Sequence, residues 1–234
     1  MVWNGEPPRM SRLAEPAARH LVVARLREEI RRIERRPGRR DGAVPSGVAG
    51  VDALLPGGGF ARGALSELTG GPASGKTAVA LALFASLAPG DLAAYVDGRG
   101  ELYPPAAAAR GVDLARLLVV RPASAIRGDA RDGGARRAAR TPEYVRMALW
   151  AAEALLGSGA FAAVAVDVPV PHAIAGGDAI ARRLQGAAEK GGAVGLWLGP
   201  GKGLRVPAAV RVELAVEGER IVARRAAGGD PRAA

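Results

Sequence analysis

Apolar residues fall along this chain in short dense runs separated by longer stretches of helical periodicity, an alternation that predicts strands followed by helices. The runs Ala64 to Leu68, Leu92 to Val96, Leu117 to Val120, Phe161 to Val166 and Ala193 to Leu198 are mostly apolar, broken in the first by Ser66 and Glu67, as in buried strands. Helices are expected at Thr77 to Leu87, Pro104 to Gly111, Thr141 to Leu156 and Asp178 to Lys190, several opened by cap or first-turn residues such as Thr141-Pro142-Glu143. The order of elements predicts an α/β fold whose mostly parallel central sheet is covered on both faces.

The two ends depart from this rhythm. After a polar, Pro-containing stretch at residues 1 to 15, Val22, Leu26, Ile30 and Ile33 recur at helical spacing, predicting an amphipathic N-terminal helix from Pro16 to about Arg36. Its other face carries Arg25, Arg27, Arg31, Arg32, Arg35 and Arg36 beside Glu28, Glu29 and Glu34, a self-paired solvated face with a DNA arm as the alternative. Pro37 to Gly42 reads as a linker, which divides the chain into an N-terminal segment 1–43, a core 44–225 and a frayed tail 226–234. Near the other end, Val212, Leu214 and Val216 alternate with polar or small neighbours, and Glu217-Gly218 turns into Ile221-Val222-Ala223. This is a C-terminal antiparallel hairpin at a sheet edge.

A length of 234 residues suits one α/β core with trimmings. The formal net charge of +10 points to a polyanion such as DNA, although a chain rich in Ala, Gly and Arg with only Lys76, Lys190 and Lys202 as lysines also follows from a GC-rich coding sequence. Absence of cysteine excludes a disulfide framework and thiolate metal sites, and His20 and His172 are too few for a zinc cluster, so both read as structural or surface residues. No apolar run is long enough to span a bilayer and the N-terminus lacks the apolar centre of a signal peptide, so a cytoplasmic place without membrane contact is expected.

The strongest chemical signal is Gly70-Gly71-Pro72-Ala73-Ser74-Gly75-Lys76-Thr77, which fits G-x-x-x-x-G-K-[ST] without substitution. Glycines let backbone N–H groups close around phosphate oxygens, Lys76 reaches the terminal phosphates, and the Thr77 hydroxyl can ligate Mg²⁺. Its position between a strand and a helix is the one this chemistry needs. ATP or ADP with Mg²⁺ is the expected ligand. Phe161 to Asp167 is an apolar strand ending in a carboxylate, and Asp167 can hold the metal opposite Thr77 because a hard cation takes oxygen ligands.

Ser46 to Gly63, running into this loop, resembles the start of a RecA-type ATPase core, and Tyr95-Val96-Asp97 with Ala109 to Leu118 resembles that family's next strand and helix. The resemblance spans roughly residues 20 to 225. Within it, the short chain, the Arg-rich leading helix and the missing C-terminal domain look most like the ImuA family of the bacterial ImuA–ImuB translesion synthesis cassette. It implies an accessory of DNA damage tolerance and the SOS response, associated with the nucleoid, that binds single-stranded DNA without sequence preference and contacts RecA or an ImuB-like partner of polymerase fold. A filament-forming, DNA-dependent recombinase and a nucleotide-stabilised adaptor without turnover are the alternatives.

Departures from active RecA proteins imply weak turnover. Where the family places a Glu that orients the attacking water, this chain has Arg99, leaving Glu101 as a substitute base only if the loop shifts. The glutamine that usually senses the γ-phosphate is replaced by Gly199 or Pro200, and the second DNA-binding loop shrinks to about Gly201 to Arg205. Tyr103 stands where the family places a residue near the adenine, either as a stacking platform or as a surface aromatic at a helix start.

Arg127, Arg131, Arg136, Arg137 and Arg140 make residues 123–140 a basic insertion, a candidate DNA contact together with Lys202 and Arg205, or else a solvated loop. Trp150 and Trp197 lie in apolar runs and are expected in the core. The linker is nearly devoid of apolar residues, so a monomer, or at most a small oligomer, is expected.

Overall fold

The computed structural model describes residues 42–122, 142–169, 177–200, 208–218 and 220–225. The leading helix, both histidines, the basic insertion with Arg127, Arg131, Arg136, Arg137 and Arg140, the segment holding Lys202 and Arg205, and the tail lie outside them.

Strands β3 (Ala64–Thr69), β4 (Leu92–Asp97), β5 (Leu117–Val120), β6 (Phe161–Asp167), β7 (Val194–Leu198), β8 (Val210–Glu217) and β9 (Arg220–Arg225) form one sheet in the order β5-β4-β6-β7-β3-β8-β9. All neighbours pair in parallel except β8 with β9, which form the expected antiparallel hairpin at the edge. Gly218 turns that hairpin with φ 62°, a conformation glycine adopts at no steric cost. A separate small ribbon pairs β1 (Ala43–Val44) with β2 (Phe60–Ala61), and the short helix α1 (Ala49–Asp52) lies between them in sequence. Sequence periodicity signals neither, because two-residue strands and one-turn helices carry no period.

Alternation along each buried strand sends side chains to two separate cores. Ala93 and Tyr95 of β4 face one side with Val79, Leu83 and Phe84 of α2 (Lys76–Ala85), joined by Ala107 of α3 (Pro104–Ala109). Ala94 and Val96 face the other, against Val145, Leu149 and Leu156 of α4 (Pro142–Gly157) and Ala181 and Leu184 of α5 (Gly177–Gly191). The result is the expected three-layer α/β architecture, with element ends displaced by one or two residues.

Trp197 is buried as expected, at 2% exposure on the α4 and α5 side, whereas Trp150 is 68% exposed. The buried stripe of α4 is Tyr144, Val145, Ala148, Leu149, Ala152 and Leu156, and Trp150 is off that stripe, in an outward cleft of about 500 Å³ between α4 and α5 with Glu153, Arg183 and Ala187. Placing Trp150 in the core was wrong because an Ala-rich helix looks apolar on every face, while packing uses only one.

Because β3, β4 and β6 run in parallel, their C-terminal ends open on the same edge of the sheet, where ligands of open α/β sheets bind. The three segments carrying the candidate chemistry leave from that edge.

Candidate functional site

The 70–77 loop leaves β3 and turns into α2 through two glycines held at positive φ, Gly70 at 149° and Gly75 at 90°. Both also face neighbours too close for a side chain: a Cβ on Gly70 would lie 2.4 Å from the Leu214 carbonyl oxygen of β8, and one on Gly75 would lie 2.9 Å from Ile221 Cδ1 of β9. The C-terminal hairpin therefore roofs the loop. Between the glycines, Ala73 holds φ 56°, a left-handed conformation that costs a non-glycine residue about 1 kcal/mol and marks a backbone constrained by its surroundings.

Lys76 folds back over this loop. Its ammonium donates to the carbonyl oxygens of Gly70 at 2.7 Å and Gly71 at 2.8 Å and to Ser74 Oγ at 3.0 Å. Burial holds its pKa below the ordinary lysine value, Asp167 acts in the opposite sense, and Arg99 adds to the lowering. All three charges thus share one space. Loop residues Ala73 to Thr77 line a cleft of about 350 Å³ with Leu81, Glu101, Leu102, Tyr103, Ala106 and Arg110. Tyr103, 67% exposed at the start of α3, stands on its rim, and the exposed Glu101 reaches the same cleft. Arg110 is an addition that nothing in the motif signalled.

A buried network organises the ends of β4 and β6. Asp97, fully buried, accepts the backbone N–H groups of Glu101 at 3.0 Å and Leu102 at 3.1 Å and the Arg121 guanidinium at 2.8 Å, and so fixes the loop that carries Arg99 to Tyr103. Gly98 donates its N–H to the Asp167 carbonyl at 2.8 Å, which sets Arg99 beside the Asp167 side chain. Arg99 Nε then donates to Asp167 Oδ1 at 2.7 Å, and the Tyr95 hydroxyl donates to Asp167 Oδ2 at 3.1 Å. Burial raises the Asp167 carboxyl above its usual range, opposed by the hydrogen bond and charge of Arg99, and burial followed by the Asp167 charge raises the Tyr95 phenol.

These contacts bear on the metal expected between Thr77 and Asp167. Both oxygens of the Asp167 carboxylate are already taken, one by the Tyr95 hydroxyl and one by the Arg99 guanidinium. As placed, the donor set does not fit a divalent ion, because such an ion would meet a fixed positive charge at the carboxylate meant to hold it. Position 199 also has a physical account. A Cβ there would lie 2.9 Å from Glu67 Oε1, so the space of a sensing side chain is filled by Glu67, itself paired with Arg211 of β8.

Residues 27–129 match the family model of the RecA N-terminal domain. That range includes the 70–77 loop, Asp97, Arg99, Glu101 and Tyr103, but not Asp167. The chain is 44% identical over 80 residues to the protein RecA of Picosynechococcus sp., covering 34% of this chain and 23% of that one. It is 36% identical over 125 residues to RecA of Levilactobacillus brevis, covering 53% and 28%, and 40% identical over 94 residues to RecA of Salinispora arenicola, covering 40% and 27%. The matches span about a quarter of the length of these relatives. Among the described residues no helix is long and apolar enough to cross a membrane. Over residues 27–129 the chain is similar to the RecA N-terminal domain, and its mostly parallel sheet with an antiparallel C-terminal pair is consistent with a RecA-like core.

Proposed function

We propose that this protein binds ATP or ADP at the 70–77 loop and serves as a RecA-like accessory of DNA damage tolerance with weak ATP hydrolysis. The observation that carries the nucleotide reading is the loop itself: Lys76 gathered onto Gly70, Gly71 and Ser74 at the N-terminus of α2, where backbone N–H groups and the helix dipole favour phosphate. Tyr103 on the rim supplies a face for the base. The likeness to RecA proteins supports a DNA-related role, and the excess of arginine supports non-specific contact with single-stranded DNA that weakens with salt.

Weak turnover is supported by Arg99, since a cation stands where a water-orienting carboxylate is expected, which leaves Glu101, held at the cleft by its backbone bond to Asp97, as the substitute base. The same observation favours an adaptor over a recombinase. Partnership with RecA or an ImuB-like protein in translesion synthesis rests on the resemblance of the short Arg-rich chain to ImuA.

Titration with a fluorescent ATP analogue tests the central claim. Lys76→Ala is expected to weaken binding by about 100-fold, on the order of 3 kcal/mol, through loss of the charge-assisted contacts to the terminal phosphates. An unchanged affinity would remove the nucleotide reading, and DNA binding that ignores ionic strength would remove the phosphate-contact reading.

A further inference from the structure

The cations around the 70–77 loop are arranged as though the site already carries its counter-charge. Arg99 Nε sits 2.7 Å from Asp167 Oδ1, with its side chain about one-third exposed and its charge felt by Lys76, while the Asp167 side chain is 12% exposed. Tyr95, 1% exposed, donates to the other carboxylate oxygen, Asp167 Oδ2, at 3.1 Å, so both oxygens that would meet a metal are already engaged. A magnesium ion sheds its waters reluctantly and demands near-octahedral oxygen ligands. To gain Asp167 it would have to displace a charge-assisted hydrogen bond and then stand next to the displaced guanidinium. A triphosphate meets no such barrier, because Lys76 and Arg110 line its cleft as cations with the charge of Arg99 near Lys76, and a guanidinium matches phosphate oxygens in charge and shape.

We propose that this site takes its nucleotide without a divalent ion, the Arg99 guanidinium and the Tyr95 phenol holding the two oxygens of Asp167 in the metal's stead. The inference rests on the nucleotide reading of the loop and specifies the form of ligand that the loop accepts: the metal-free nucleoside di- or triphosphate. Arg99 is its specificity-determining residue.

The test is calorimetric titration of the full chain with ATP and with ADP, in excess magnesium and in EDTA. Wild-type affinity is expected to change by less than about threefold between the two conditions, whereas Arg99→Ala should lose about tenfold or more in EDTA and recover in magnesium. Arg99→Lys keeps the positive charge and should keep the metal independence, so the proposal stays testable should the alanine variant fold poorly. Wild-type binding that weakens tenfold or more on removing magnesium overturns the inference while leaving the nucleotide reading intact. No binding in either condition overturns the nucleotide reading, and this inference with it.

Discussion

At the scale of single residues, the loop Gly70 to Thr77 was legible because its chemistry is local: a fixed spacing of glycines, lysine and threonine is the same in sequence and in space. The Arg99 to Asp167 pair was not, since its members are 68 residues apart and meet only through the pairing of β4 with β6, which sets Asp97 level with Asp167. Tyr95 was equally hidden, an aromatic in an apolar strand that spends its hydroxyl on Asp167. This pair has a measurable electrostatic signature. The folded Asp167 carboxyl lies above its unfolded value, so its contribution to stability is present below the ordinary carboxylate range and is lost as pH rises through the folded pKa. Arg99→Ala removes the main group opposing that rise and is expected to move the Asp167 titration to higher pH, followed by carboxyl carbon resonances. It should also cost about 1–3 kcal/mol at neutral pH, because a buried carboxylate is left with the Tyr95 hydroxyl alone. An unmoved titration would show that the two side chains do not meet in solution.

Among the elements, every strand and helix of the main layers was readable from its period, and their ends fell within one or two residues of the expected ones. Trp150 shows the limit of that reading: in α4, Ala148, Ala151, Ala152 and Ala154 dilute the contrast between faces, and only the arrival of α5 settles which side is inner. The contact between these helices is close at their ends. A Cβ at Gly191 would lie 2.0 Å from the Leu156 carbonyl oxygen, backbone against side chain with no flexible atom to yield. Gly191→Ala is therefore expected to destabilise the protein by about 2–3 kcal/mol in denaturant titrations, as overpacking of a fixed contact does. A loss within experimental error would mean that α4 and α5 separate freely at this end.

For the whole molecule, the sequence predicted a parallel sheet but not its order, because strand order depends on crossovers that leave no local trace. The edge hairpin was legible from its alternation and its Glu217-Gly218 turn. The basic segments fall outside the described residues, which leaves charge as the support for DNA contact. Assembly can be argued further. The stretch between the leading helix and the core is expected to lack the means to join a neighbour, and its last residues are already engaged: Ala43 and Val44 pair with Ala61 and Phe60 of the same chain, and Val44 is buried. A strand committed to its own core is not offered to another. Light scattering with ATP and single-stranded DNA is expected to give a monomer or small oligomer, and regular filaments under those conditions would restore the recombinase alternative.

The roof that β8 and β9 place over the glycines of the loop makes ligand occupancy and edge-strand opening two readouts of one equilibrium. If the hairpin must be closed for Gly70 and Gly75 to hold their conformations, any ligand that requires the closed loop taxes every fluctuation that lifts the hairpin away. At a ligand concentration of about 100 times Kd this amounts to about 2.7 kcal/mol, so exchange of backbone amide hydrogens in β8 and β9 should slow by about 100-fold on nucleotide addition. The slowing would appear in strands that carry none of the motif residues, and it gives an edge hairpin the role of a gauge for a site it only covers.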